Sequence, residues 1–243
     1  MILANVRESL GRDDAQLALH LIARGSPSEL ERGEARLRDE GIDAVLDDPR
    51  LLEGLIRSPL GSRASLALFC YVTVRGAMRN VGENDRVLCD YVASILLHFG
   101  LRDRFSRIAA SDDETYDTLA ALVDAVDDPD ARRAFLVRAH LGNFALWQSG
   151  LFPDLIAHRR HRRGAPDLEY YEDLGRRGFE LASDHRLARE HGLAELFRDV
   201  AARFVVLRMA LNSISDALLF PHGSSPDRLM RQVRDEARWR LSS

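Results

Sequence analysis

Lysine is missing from this chain: all 34 of its basic residues are arginine. That absence removes Schiff-base catalysis, pyridoxal phosphate attachment and the lysines on which P-loop NTPases and protein kinases depend. Gly-rich phosphate loops and GxSxG elbows are missing as well. An arginine-only basic set is what a GC-rich bacterial genome produces by codon bias. Cysteine is scarce, and Cys70 and Cys89 lack close partner spacing, which suits reduced, buried thiols in a cytoplasm. No apolar run nears the ~20 residues of a membrane span. The opening MILANVRESLGRDD has no basic n-region and meets charge at Arg7, so no secretory signal is expected. Strand-like alternation bounded by hairpin turns is absent, and no internal period supports a repeat architecture.

What is present points to helices. Hydrophobic content of 46% beside 30% charge is ordinary for a folded globular chain of 243 residues. The net charge of −4 argues against general attraction to nucleic acid or to an anionic membrane. Helix-start signals recur at Ser26-Pro27, Asp48-Pro49, Asp128-Pro129, Ala165-Pro166 and Ser225-Pro226. The pattern predicts an all-α, irregular bundle of nine to ten helices in one domain, residues 1–243. Within it, a looser layer spans 1–59, the main bundle 60–221 and a C-terminal docking helix 225–241, with Trp239 and Leu241 as its anchors. Ser58-Pro59-Leu60-Gly61 is the clearest internal break. Three long helices are expected over Asp112–Val126, Pro166–His191 and Leu193–Phe220.

The bundle is expected to be centred on a helix near 129–152. Between Ala134 and Phe152 its only charge is Arg138, so it should be buried on most sides. Asp128 as N-cap and Pro129 in the first helical position suit its start. His140, Asn143 and Trp147 share one face, while Gly142, Ala145 and Ser149 make a small-residue face for a close neighbour. Gly175 and Gly178, costly in a helix, suggest such a close crossing.

Polar residues on the most core-like helices are the pocket candidates. They are Asp90 and His98 of an i, i+4, i+8 stripe with Ser94, then His140, Asn143 and Trp147, Tyr171 and Glu172, and Arg208, Asn212 and Asp216. If these faces converge they line an interhelical pocket, with Arg208 as anchor for a small anionic ligand and His140 or Glu172 as acid or base. Otherwise each is a bridging polar group. Arg208 is expected to be structural, held by Asp216 or another nearby carboxylate. Asp154, His158 and His161 stand at i, i+4, i+7 and are a weak metal candidate, opposed by the arginines at 159, 160, 162 and 163. His185 and His191, with Glu190 and Glu195 nearby, are a second such group. No metal or other cofactor is expected.

Charge is segregated. Residues 112–130 hold eight carboxylates and no basic residue, whereas 158–163 read HRRHRR; the two runs are expected to attract each other, within a chain or across a dimer. HRRHRR and the terminal RLMRQVRDEARWR offer phosphate contacts, but without a helix-turn-helix pattern nucleic acid is an unlikely partner. The expected function is a non-enzymatic cytoplasmic interaction or regulatory protein, with a protein partner or a homo-oligomer. The alternative is a ligand-binding bundle or an enzyme using the interhelical pocket.

Overall fold

The computed structural model describes residues 1–100, 107–108, 116 and 118–242, with side chains through 238. Among them are fourteen α-helices and no strand. The all-α bundle is as expected, with more helices than the nine or ten counted from the sequence. The chain forms two compact units.

One unit comprises Leu3–Asn80 and Asn84–Leu97. It holds α1 (Arg12–Ala23), α2 (Pro27–Glu40), α3 (Ile42–Leu46), α4 (Pro49–Arg57), α5 (Leu66–Asn80) and most of α6 (Arg86–Gly100). Their starts follow the caps: Ser26 Oγ accepts from the Glu29 N–H, and the carboxylates of Asp48 and Asp85 accept from Arg50 and Val87. The break at Ser58–Gly61 is a 3₁₀ turn within this unit, so α5 and most of α6 join the N-terminal layer. Burial keeps Val72, Thr73 and Val74 helical despite their branched side chains. Cys70 and Cys89 are buried here as free thiols. Burial pushes the Cys70 thiol up to about 11 and raises that of Cys89, so neither is a reactive thiolate.

The other unit comprises Met1–Ile2, Val81–Glu83 and His98–Ser243. It carries α7 (Leu119–Asp124), α8 (Ala131–Leu151), α9 (Pro153–Arg163), α10 (Leu168–Ser183), α11 (Arg186–Glu190), α12 (Ala194–Ala202), α13 (Phe204–Ile214) and α14 (Pro226–Ser242). The cap of α8 is Asp130, not Asp128: its carboxylate accepts from the N–H groups of Arg132 and Arg133. Asp128 instead accepts from Asp130 N–H at 2.8 Å, closing the turn before the helix. In the acidic segment Tyr116, Leu119 and Leu122 are buried, but Val123 faces out; residues 112–115 and 117 lie outside the described residues. Both longer helices expected after it are broken. The first stops at Ser183 and restarts as α11, whose N-cap His185 accepts the Leu187 N–H on Nδ1; the second is interrupted at Arg203 and passes into a π-helical turn after Ile214. No glycine or proline marks these breaks; a side-chain cap and local backbone geometry make them.

α8 lies at the centre, with most of its side chains buried. α10 crosses it where α10 carries its two glycines. A Cβ on Gly178 would stand 2.8 Å from Gly142 N and 2.9 Å from Arg138 O, and one on Gly175 would meet the Phe204 ring and Ala145. The small-residue face thus does what its spacing suggested. Gly178→Ala is expected to destabilise the protein by about 1–3 kcal/mol, because backbone on α8 must move, which outweighs the ~1 kcal/mol gain in helix propensity. Denaturant unfolding checks it; a more stable variant would contradict the crossing.

His185 stacks on Phe135, with ring centroids 5.3 Å apart, while Nδ1 accepts the Leu187 N–H. Burial and the charges of Arg138, Arg186 and Arg189 hold its pKa below the usual histidine value. The unfolded chain therefore takes up this proton first, and the residue's contribution to stability is lost as pH falls through and below about 6.5. His185→Asn keeps a cap acceptor without the titration. It should flatten the acid-side decline between pH 7.5 and 5, measured by denaturant midpoints.

Candidate functional site

The end of α8 creates the demand that organises the polar interior. The Ser149 carbonyl would normally accept from the N–H four residues on, but that residue is Pro153, which has none. Asn212 of α13 supplies the donor: its Nδ2 bonds Ser149 O at 2.8 Å and Gly150 O at 2.7 Å. Ser215 Oγ donates to Leu151 O at 2.7 Å, at the start of a π-helical turn over Ser215–Leu219. Three carbonyls at the end of α8 are thus satisfied from α13 and the π-helical turn that follows it.

Arg208 lies one turn before Asn212 and is fully buried. Its Nη1 donates to Asn212 Oδ1 at 2.8 Å and to Asp235 Oδ2 at 2.5 Å, and its Nη2 donates to Asp235 Oδ1 at 2.8 Å. Glu172 Oε1 lies 3.0 Å from Nη2, off the N–H direction, so it pairs by charge without an aligned hydrogen bond. Arg238 approaches Glu172 Oε2 at 3.4 Å. Two guanidinium groups and two carboxylates therefore balance.

A second balanced group lies at the other end of α14. Arg228 Nε donates to Asp154 at 2.9 Å, and its Nη1 donates to the carbonyls of Phe220 and Gly223. Arg231 Nη2 donates to Asp216 at 2.8 Å, and Gln232 Nε2 to the same carboxylate at 2.9 Å. Asp216 thus pairs with Arg228 and Arg231, while the carboxylates on Arg208 are Asp235 and Glu172. Arg228, Arg231, Asp235 and Arg238 were missed as site residues. Their 3-4-3 spacing marks one face of α14, but a charged face is ordinarily read as the solvent side.

α14 is in fact inverted. Its charged face points inward, while Leu229, Met230 and Val233 are 57%, 63% and 62% exposed. The side chains of Trp239 and Leu241, expected to dock it, lie outside the described residues. Of the basic terminal segment, Arg228 and Arg231 are buried against carboxylates, while Arg234 is about half exposed.

The remaining candidates are dispersed. In the N-terminal unit Asp90 Oδ1 accepts from Arg7 N–H at 2.8 Å, and Ser94 lies near Asn5 N; burial raises the Asp90 carboxyl against that hydrogen bond. In the larger unit His98, His140 and Asn143 line a space of about 20 Å³, room for one water. Trp147 packs its ring against Phe99, Phe144 and Phe152. Tyr171 is half-buried, its hydroxyl raised by burial and opposed by Arg159. Of the candidates, Glu172, Arg208 and Asn212 meet in one buried network.

The weak metal candidate does not assemble either. Asp154 is held by Arg228, His161 Nε2 lies 3.1 Å from Asp227, and His158 is exposed. His185 of the second group is a helix cap. No cluster of three metal-binding side chains occurs among the described residues. Nor do the charge runs meet there: Asp127 and Asp128 pair with Arg138 and Arg133, and Arg160 pairs with Asp167.

Two concave surfaces flank α14. One, of about 330 Å³, has both signs of charge, including Asp154, Arg160, His161, Asp227 and Arg234. The other, of about 690 Å³, is mainly apolar, walled by Leu151, Phe152, Leu155, Leu219 and Phe220. Comparison with family models, curated proteins and solved structures finds no match for this chain.

Arg208→Ala is expected to destabilise the protein by roughly 3–5 kcal/mol, because Asp235 would lose its buried cation and Glu172 would keep only the half-exposed Arg238 at 3.4 Å. Equilibrium unfolding checks this. A loss below about 1 kcal/mol, within the range of exposed ion pairs, would show that the network is not structural.

Proposed function

We propose that this chain is a non-enzymatic helical interaction or regulatory protein that works by presenting a surface. The observation that carries the reading is the inverted α14: Arg228, Arg231 and Asp235 are buried in ion pairs, and the apolar Leu229, Met230 and Val233 face outward. Contiguous exposed apolar surface of this kind is typical of contact sites. The acid, base and anchor candidates support the same reading: His140 lines a separate small space, and Arg208 is occupied by its ion pairs with Glu172 and Asp235. The buried free thiols of Cys70 and Cys89 support a reducing location such as the cytoplasm. No helix among the described residues is long and apolar enough to cross a membrane.

A second reading, a ligand-binding bundle, has one observation in its favour: the 690 Å³ groove is within the size range of small-molecule sites. Its lining suits an apolar ligand better than the anionic one expected from Arg208.

Two measurements test the interaction reading. Replacing Leu229, Met230 and Val233 together by Ser should leave stability within about 1 kcal/mol, because the side chains are exposed in the free chain. A photo-reactive residue at position 233 in living cells should give a discrete adduct to a second polypeptide, and one at Glu31 on α2 should not. No adduct at 233 would overturn the reading.

A further inference from the structure

The outward face of α14 has the pattern of a helix that pairs with its own copy. Its inward residues, Arg228, Arg231, Asp235 and Arg238, span an arc of about 80°, and Pro226, Leu229, Met230, Val233 and Ala237 span about 100° on the opposite side. Pro226, Met230, Val233 and Ala237 follow the 4-3-4 spacing of a coiled-coil seam. All five outward residues are exposed, so the seam has no partner among the described residues.

The flanking charges choose both the occupant and its direction. Asp227 and Arg234 lie on one edge of the seam, seven residues apart. In an antiparallel pair, each edge meets the same edge of the other helix. With Met230 layered on the partner's Val233, and Ala237 on the partner's Pro226, Asp227 falls beside the partner's Arg234. Two-fold symmetry forms that ion pair twice. A parallel pair would instead set Arg234 beside the partner's Leu229 and offer no opposite charge. Asp227 and Arg234 are about half exposed, and their contacts with His161 at 3.1 Å and Glu169 at 3.8 Å are surface pairs. Such pairs are weak and readily exchanged.

We propose that α14 is a homodimerisation helix, pairing antiparallel with α14 of a second copy of this chain through Met230 and Val233 and two Asp227–Arg234 bridges. This rests on reading the outer face of α14 as an interaction surface, and it names the occupant. A helix pair of this length is a small interface, so the dimer forms reversibly in the micromolar range.

Sedimentation of the full chain between about 1 and 200 µM should show a monomer–dimer equilibrium, abolished by Val233→Glu. Arg234→Asp should weaken the dimer at least about fivefold, by losing two attractions and adding two repulsions. Adding Asp227→Arg to it should restore the dimer. Under mild oxidation, an equimolar mixture of Met230→Cys and Val233→Cys chains should form a mixed disulfide, whereas Val233→Cys alone should not; native Cys70 and Cys89 are buried. A chain monomeric throughout the range, a dimer indifferent to Val233→Glu, an Asp227→Arg/Arg234→Asp pair that fails to recover, or a ready Val233→Cys homodimer would each overturn the proposal. If the chain stays monomeric while the probe at 233 captures a different protein, self-pairing fails and the interaction reading stands. If the probe captures nothing, both fail.

Discussion

A guanidinium group with no access to water sets the terms for the larger unit. Arg208 cannot shed its charge, so the surrounding structure must pair it, and it does so with residues from three helices: the carboxylates of Glu172 on α10 and Asp235 on α14 neutralise it, and the Asn212 amide of its own α13 accepts a hydrogen bond. Asn212 is then committed twice, because the same amide that receives Arg208 on its oxygen donates through its nitrogen to the Ser149 carbonyl orphaned by Pro153 and to that of Gly150. The termination of α8, the placement of α13 and the docking of α14 are thereby one connected problem in hydrogen bonding.

This coupling explains why α14 is packed with its charges inward. A helix whose inward face supplies Asp235 to Arg208, Arg238 to Glu172, and Arg228 and Arg231 to Asp154 and Asp216 completes two charge-balanced groups. Its apolar residues, at the opposite side of the cylinder, have nowhere to go but outward. The exposed row is thus a geometric consequence of the interior, and an association through it would not disturb the contacts that hold the helix in place.

The parts of this arrangement that were legible in the sequence are those governed by local rules. Helix class, the starts at Ser26 and Asp48, the buried central segment and the close crossing at Gly175 and Gly178 follow from caps, periodicity and side-chain size. Arg208 stood out because its stripe continued in short hydrogen-bonding residues instead of long charges. Its partner carboxylates did not, since Asp235 lies 27 residues away and Glu172 lies 36 away on another helix. Asp216, the nearest acid on the same stripe, was the natural local choice and is engaged elsewhere. The breaks at His185 and Arg203 carry neither glycine nor proline, and α14 violates the assumption on which amphipathic helices are oriented.

The inverted docking of α14 also separates its thermodynamics from those of the core. Exposing apolar surface raises heat capacity and exposing polar surface lowers it. Global unfolding lays open the leucines and phenylalanines around α8 and so follows a strongly curved stability profile. Lifting α14 off its charged seat uncovers guanidinium and carboxylate groups, while the row of Leu229, Met230 and Val233 is already wet. Uncovering those groups therefore carries a small or negative heat capacity, and the charged seat answers temperature almost linearly, by its enthalpy, while the bundle beneath it follows the hydrophobic dome.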